Sequence, residues 1–254
     1  MQKKSTILLA LIIVFIASTG RPAVLWAAPA FADKDFNLTS PNDPSKPVPG
    51  GVRWFWRMHG DYLNRTKLNN FEICFLGDSI TQMWPGDIFG KYFGKYKCAN
   101  FGIGGDRCEN VLLRLDDGEL KDCTPKLIVL MLGTNNQGMN TAEEIAFGVS
   151  IVVKSLQVKC PQSHILILGI LPSAGTPYEK TSAINDGIAK LADGKIISYF
   201  NFGAKLQDQN QKMLPNMFSD SVHLSREGYE EWGKEVAPIV DTIMAKDSSP
   251  PPTP

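Results

Sequence analysis

The chain of 254 residues has no apolar run of the roughly 20 residues that a membrane-spanning helix needs. Its longest, residues 7–17, covers 11. Neither charge is in excess, with 26 basic and 26 acidic side chains. No basic patch alternates with aromatics, which argues against a nucleic-acid partner. Histidine is scarce, at three, and none of the five cysteines falls at a zinc-site spacing. No G-x-G-x-x-G or Walker motif occurs, so a nucleotide cofactor has no motif to rest on. No internal repeat marks a solenoid or a second domain. The odd cysteine count (Cys74, Cys98, Cys108, Cys123, Cys160) leaves at least one thiol free and one disulfide open.

What is present begins with an expected export signal over residues 1–32. Lys3 and Lys4 precede the apolar run, and Ala30-Phe31-Ala32 gives a small-x-small cleavage pattern. This predicts a protein exported to the periplasm or outside, with no stable membrane insertion after cleavage. Removing Lys3, Lys4 and Arg21 leaves 23 basic against 26 acidic side chains, a formal charge of −3. Residues 33–50, rich in Pro, Asp, Asn and Ser, read as an extended arm. Residues 51–246 are long enough for one α/β domain with a substantial core. Residues 247–254 read as a disordered Pro-rich tail.

Within 51–246, short apolar runs alternate with helical patterns. Strands are expected at 72–76, 97–101, 126–132, 165–170 and 196–200. Helices are expected at 52–68, after Asp106, at 141–158 (capped by Thr141), at about 180–193 and at about 226–245. The run Lys-Leu-Ile-Val-Leu-Met-Leu at 126–132 is what a strand buried on both faces shows. The alternation predicts a parallel sheet with helices on both sides, a three-layer α/β/α domain. His59 and His164 have no feature beyond ordinary packing.

Three successive strands end in turns that carry Ser79, the Gly104-Gly105 pair and Asn135. In a parallel sheet these turns share one edge, where ligands bind in open α/β folds. A late polar loop brings Asp220 and His223, three residues apart. Each feature has an ordinary alternative. Ser79 is a plausible helix cap, the glycines suit tight turns, Asn135 and Asn136 suit left-handed turn geometry, and Asp220 and His223 suit a polar surface loop. Together they suit acyl transfer: a serine nucleophile needs a base, here His223, and the base needs a carboxylate to orient it, here Asp220. The Ser79 and Gly105 backbone N–H groups and the Asn135 amide are the right donors for an oxyanion. Trp84, Leu132 and Met139 lie near the expected edge and are weaker candidates to shape an acyl pocket, with core packing as their alternative.

In these motifs the chain resembles the GDSL, or SGNH, family of serine esterases and lipases. Gly77-Asp78-Ser79, Gly105, Asn135 and Asp220-Ser221-Val222-His223 match its four blocks in order; Ile80 replaces the usual leucine. The stretches 100–106, 118–120 and 133–136 look most like the catalytic subunits of intracellular platelet-activating-factor acetylhydrolases. The resemblance implies a flavodoxin-like five-stranded parallel sheet of order 2-1-3-4-5. It also implies a metal- and cofactor-independent ester hydrolase with Ser79 as nucleophile, His223 as base and Asp220 as its partner. With export expected, the substrate expectation is a short acyl ester, first of all an acetylated glycan. A phospholipid deacylase is the alternative, and a non-catalytic ligand-binding module is the alternative of another class. A homodimer is left open.

Overall fold

The computed structural model describes residues 42–246. The expected export signal, the first half of the arm and the tail lie outside the described residues. Five strands form the sheet: β1 (Ile73–Gly77), β2 (Cys98–Gly102), β3 (Leu127–Met131), β4 (His164–Leu168) and β5 (Ile197–Phe200). They pair in the order β2-β1-β3-β4-β5, and every pairing is parallel. The order and the three-layer architecture are those expected from the sequence.

Every residue of β1 and β3 is buried, because alternate side chains enter two separate cores. Leu127, Val129 and Met131 join one core, and Ile128, Leu130 and Leu132 join the other. The second of these cores is covered by α1 (Phe55–Leu68), α4 (Cys108–Asp116), α5 (Ala142–Lys159) and α6 (Tyr178–Ala189). The opposite face carries α2 (Ser79–Gln82), α3 (Gly86–Phe93) and α7 (Arg226–Lys246). Thr141 caps α5 as expected: its side chain accepts from Glu144, whose carboxylate accepts from Thr141 in return.

Most boundaries shift by a residue or two, and three of the shifts have a clear local reason. The helix expected from Val52 starts at Phe55, because Val52 closes a single lead-in turn by accepting from the Phe55 amide. Strand β4 stops at Leu168, because the Ile170 amide leaves the ladder for the Asn185 side chain at 2.9 Å. Helix α6 stops at Ala189, and Asp193 then gathers the amides of Lys195, Ile196 and Ile197 at 2.8–3.0 Å. All five cysteines are free thiols, four of them buried.

The described part of the arm lies over α4 and α5. Asn42 donates to Glu109 at 2.8 Å, and the Val48 carbonyl accepts from Asn110 at 3.0 Å. Among the described residues no helix is long and apolar enough to cross a membrane. The register sets Gly77 level with Gly102 on one side and Met131 on the other. The three turns beyond them therefore open at one height on one edge.

Candidate active site

The first of these turns follows Gly77. Asp78 has extended backbone, and its side chain accepts from the Ile80 amide at 2.9 Å. Asp78 is therefore the cap of the four-residue α2, and Ser79 is its first helical residue rather than the cap that the sequence suggested. The Ser79 hydroxyl is left to other work. Asp78 is fully buried, and burial pushes its carboxyl up to about 7 against the pull of the Ile80 amide.

The polar loop before α7 closes over this turn. An antiparallel bridge between Phe218 and Leu224 pinches its base. Within it, Asp220 Oδ1 accepts from the Val222 and His223 amides at 2.8 and 2.7 Å, and Oδ2 pairs with His223 Nδ1 at 2.7 Å. These bonds to His223 and Val222 hold the Asp220 carboxyl down at about 2, although its side chain is half exposed. His223 Nε2 lies 2.9 Å from Ser79 Oγ. With Nδ1–H donating to the carboxylate, Nε2 carries the lone pair and accepts from the serine hydroxyl. The Tyr229 hydroxyl donates to the Ile80 carbonyl at 2.7 Å, which anchors α7 to the serine turn. The residues 144 positions apart thus meet through two elements locked together.

The other two turns are tied to the first. Gly102 sits where β2 passes under α2: a side chain there would meet the Gln82 amide at 2.4 Å. Asn100 donates to the Thr81 carbonyl at 2.6 Å and accepts from the Gly102 amide at 2.9 Å. Gln82 Oε1 accepts from the Gly104 amide at 2.6 Å. Gly105 has φ of +83°, so its backbone requires glycine. Its would-be side chain points at Val52, whereas that of Gly104 would lie 3.7 Å from the Ser79 Cβ. Gly104 is therefore the glycine that leaves room beside Ser79. Asn135 donates one amide hydrogen to the Asp106 carbonyl at 2.8 Å and keeps the other.

Behind this turn lies a buried ionic network. Arg114 is fully buried; it pairs with Asp106, meets Glu119 through Nη2 at 2.8 Å and donates to the Phe101 carbonyl at 2.6 Å. Burial raises the Asp106 carboxyl to about 6 despite the arginine beside it. His59 is buried between Glu119 at 2.7 Å and Asp117 at 2.8 Å. Burial lowers the imidazole, but its two carboxylate hydrogen bonds outweigh that, and the net shift is upward.

Of the three weaker pocket candidates, two take the core-packing alternative. Trp84 is a core residue packed on Tyr229 and Trp232, with ring centroids at 4.8 and 4.6 Å. Leu132 is buried in the opposite core. Leu132 continues the alternation of β3 into that core, and Trp84, two residues past α2, enters the core beneath α7. Met139 alone is exposed, against the Arg107 guanidinium. Sequence reasoning missed Gln82, Asn100 and the Arg114 network. The only signal for Gln82 was its place one turn beyond Ser79; nothing local marks Arg114 as buried. Among the described residues, no cluster of His, Cys, Asp or Glu is placed to hold a metal ion.

The profile of the GDSL-like lipase/acylhydrolase family matches residues 75–231. The human platelet-activating factor acetylhydrolase IB subunit alpha1 is 32% identical over 216 residues, covering 81% of this chain and 93% of that protein. The bovine alpha2 subunit is 32% identical over 218 residues, covering 83% and 92%. A GDSL-like lipase of Bacteroides thetaiotaomicron superposes with a TM-score of 0.58 at 18% identity, covering 72% of this chain and 97% of that one. A carbohydrate acetylesterase of Sinorhizobium meliloti does so at 0.54 and 20%, covering 67% and 98%. These two likenesses concern the fold. The relatives correct the expectation of export, since the acetylhydrolase IB subunits are intracellular.

Proposed function

The chain belongs to the GDSL-like lipase/acylhydrolase family and is an ester hydrolase, and from that premise we propose that it removes acetyl and other short acyl groups through an acyl-enzyme on Ser79. The observation that carries this reading is the unbroken relay from Ser79 Oγ to His223 Nε2 at 2.9 Å and from His223 Nδ1 to Asp220 at 2.7 Å. Ser79 Oγ attacks the ester carbonyl carbon while His223 Nε2 takes its proton. The Ser79 and Gly105 amides and the free Asn135 amide hydrogen receive the negative charge on the carbonyl oxygen. The carbon–oxygen bond to the alcohol breaks as His223 returns the proton to the leaving oxygen. Water then repeats the sequence: His223 takes its proton, the hydroxide adds to the acyl carbon, and the acyl–Ser79 bond breaks as His223 returns the proton to Ser79 Oγ and the acid leaves. Asp220, ionised throughout, keeps the imidazole in the required tautomer and offsets the charge it acquires.

The acetylated-glycan expectation drew its support from export, which the relatives overturn. The alcohol we favour is a phospholipid glycerol, since the relatives named above carry the name platelet-activating factor acetylhydrolase. Exposed apolar side chains near the serine agree with this: Met83 directly follows α2, and Trp54 lies beside Gly104. The test is labelling with an organophosphate serine probe, followed by acetate release from an acetylated ether phospholipid, acetylated glycans and nitrophenyl esters of increasing chain length. Labelling that maps to Ser79, with preference for acetyl over long acyl groups, is expected. Folded protein that does not label, or that prefers long chains, overturns the reading.

A further inference from the structure

We propose that a groove beside Ser79, lined by Arg53, Trp54, Arg57, Met58 and Gln82, receives the phosphate of the alcohol part of the substrate, an acetylated phospholipid; this rests on the acyl-enzyme reading above. Two of its walls touch the serine turn. Gln82 ends the helix that Ser79 begins and holds the Gly104 amide. A side chain on Gly104 would lie 3.7 Å from the Ser79 Cβ and 3.8 Å from the Trp54 ring. The groove and the serine are thus separated by the width of one glycine.

Its charge is specific. Six arginines fall among the described residues. Arg65 donates to the Asn100 carbonyl, Arg107 pairs with Glu109, Arg114 with Asp106 and Glu119, and Arg226 with Asp87. Arg53 and Arg57 have no hydrogen-bond or acidic partner among the described residues, and both are exposed. They stand four residues apart across the start of α1, where the Trp54 backbone is already helical, so their side chains leave the same face. Two guanidinium forks on one face suit a phosphodiester, whose two non-bridging oxygens share the negative charge. Trp54 between them, exposed by 42%, and Met58 supply an apolar wall for the glycerol and ether chain. The groove's volume of about 360 Å³ is within the range of small-ligand sites.

The experiment compares kcat/KM for a monomeric acetylated ether phosphocholine with that for p-nitrophenyl acetate, in the wild type and in Arg53→Gln, Arg57→Gln, the double variant and Arg57→Lys. Loss of one or two charge-assisted hydrogen bonds lowers the phospholipid-to-neutral-ester ratio by about 10- to 100-fold in the double variant, through KM rather than kcat. Arg57→Lys restores part of it. An unchanged ratio overturns the subsite and leaves the esterase reading standing. A calorimetric arm needs no turnover: glycerophosphocholine titrated into Ser79→Ala binds, and binds more weakly when both arginines are replaced. No binding, or equal binding, overturns the proposal whatever the fate of Ser79. Inorganic phosphate serves as the comparison. Inhibition by glycerophosphocholine beyond that of equal phosphate supports a lipid headgroup, and equal inhibition overturns it.

Discussion

Asn135 gives one hydrogen of its side-chain amide to the Asp106 carbonyl at 2.8 Å, and that bond fixes where the second hydrogen points. The third turn is therefore positioned by the second. If the free hydrogen serves the oxyanion, Asn135→Ala lowers kcat by about 100- to 1000-fold with little change in KM. Steady-state kinetics on p-nitrophenyl acetate measures this. A kcat within a few-fold of wild type removes Asn135 from the proposed oxyanion hole.

Asp106 is in turn held by Arg114, which also meets Glu119 and the Phe101 carbonyl. Arg114→Met leaves buried Asp106 without its counter-charge and Glu119 with His59 as its remaining partner. Breaking a buried pair in this way costs about 3–5 kcal/mol, read as a lower urea midpoint. Arg114→Lys recovers only part, because an ammonium cannot serve three acceptors in one plane. A methionine variant as stable as wild type would show that the network contributes specificity alone.

Asp220 is the partner of His223 Nδ1, which no carbonyl shares among the described residues. Asp220→Asn keeps an oxygen for the two backbone amides but offers Nδ1 an N–H. The imidazole then shifts to the wrong tautomer, and kcat falls by about 10⁴-fold with the melting temperature nearly unchanged. The carboxyl is held at about 2, chiefly by the His223 amide and ring. Its contribution to stability is therefore complete above the ordinary carboxylate value and lost only as pH falls towards 2. Carbon NMR of the Asp220 carboxyl is expected to find no midpoint between pH 4 and 9. A midpoint in that interval contradicts the assigned hydrogen bonds.

Two buried groups make stability depend on pH in the opposite sense. Burial raises Asp78 from 3.8 to about 7. The fold therefore has its full stability from this group below pH about 4 and loses it as pH rises through 7. Asp78→Asn keeps an acceptor for the Ile80 amide and removes the titration, so its melting temperature gains on wild type between pH 4 and 8. His59 is also raised, its carboxylate bonds outweighing burial. Its contribution is present below 6.5 and lost above, so His59→Gln narrows the fall on the alkaline side. Melting curves of both variants against wild type from pH 4 to 9 check this. A constant difference for Asp78→Asn would mean that Asp78 keeps one protonation state throughout.

The amino-acid sequence by itself determined the sheet. Apolar runs such as 126–132 bury on both faces wherever they lie, and strands alternating with helices leave few other arrangements. The sequence also placed Ser79, Gly105 and Asn135 after strand ends, because glycine and asparagine punctuate turns by their own backbone preferences. What only the tertiary structure decided depends on separation along the chain. Local pattern makes Ser79 a helix cap; the fold gives that task to Asp78, because Ser79 must face a histidine 144 residues away. Pattern puts Trp84 and Leu132 at the site's edge, and packing draws both into the cores. Nothing local distinguishes Arg114, buried in a network, from Arg53 and Arg57, which lie open in the groove. Charge is written in the sequence, but whether a charge is paired, buried or free to meet a ligand depends on which distant segments are folded against it.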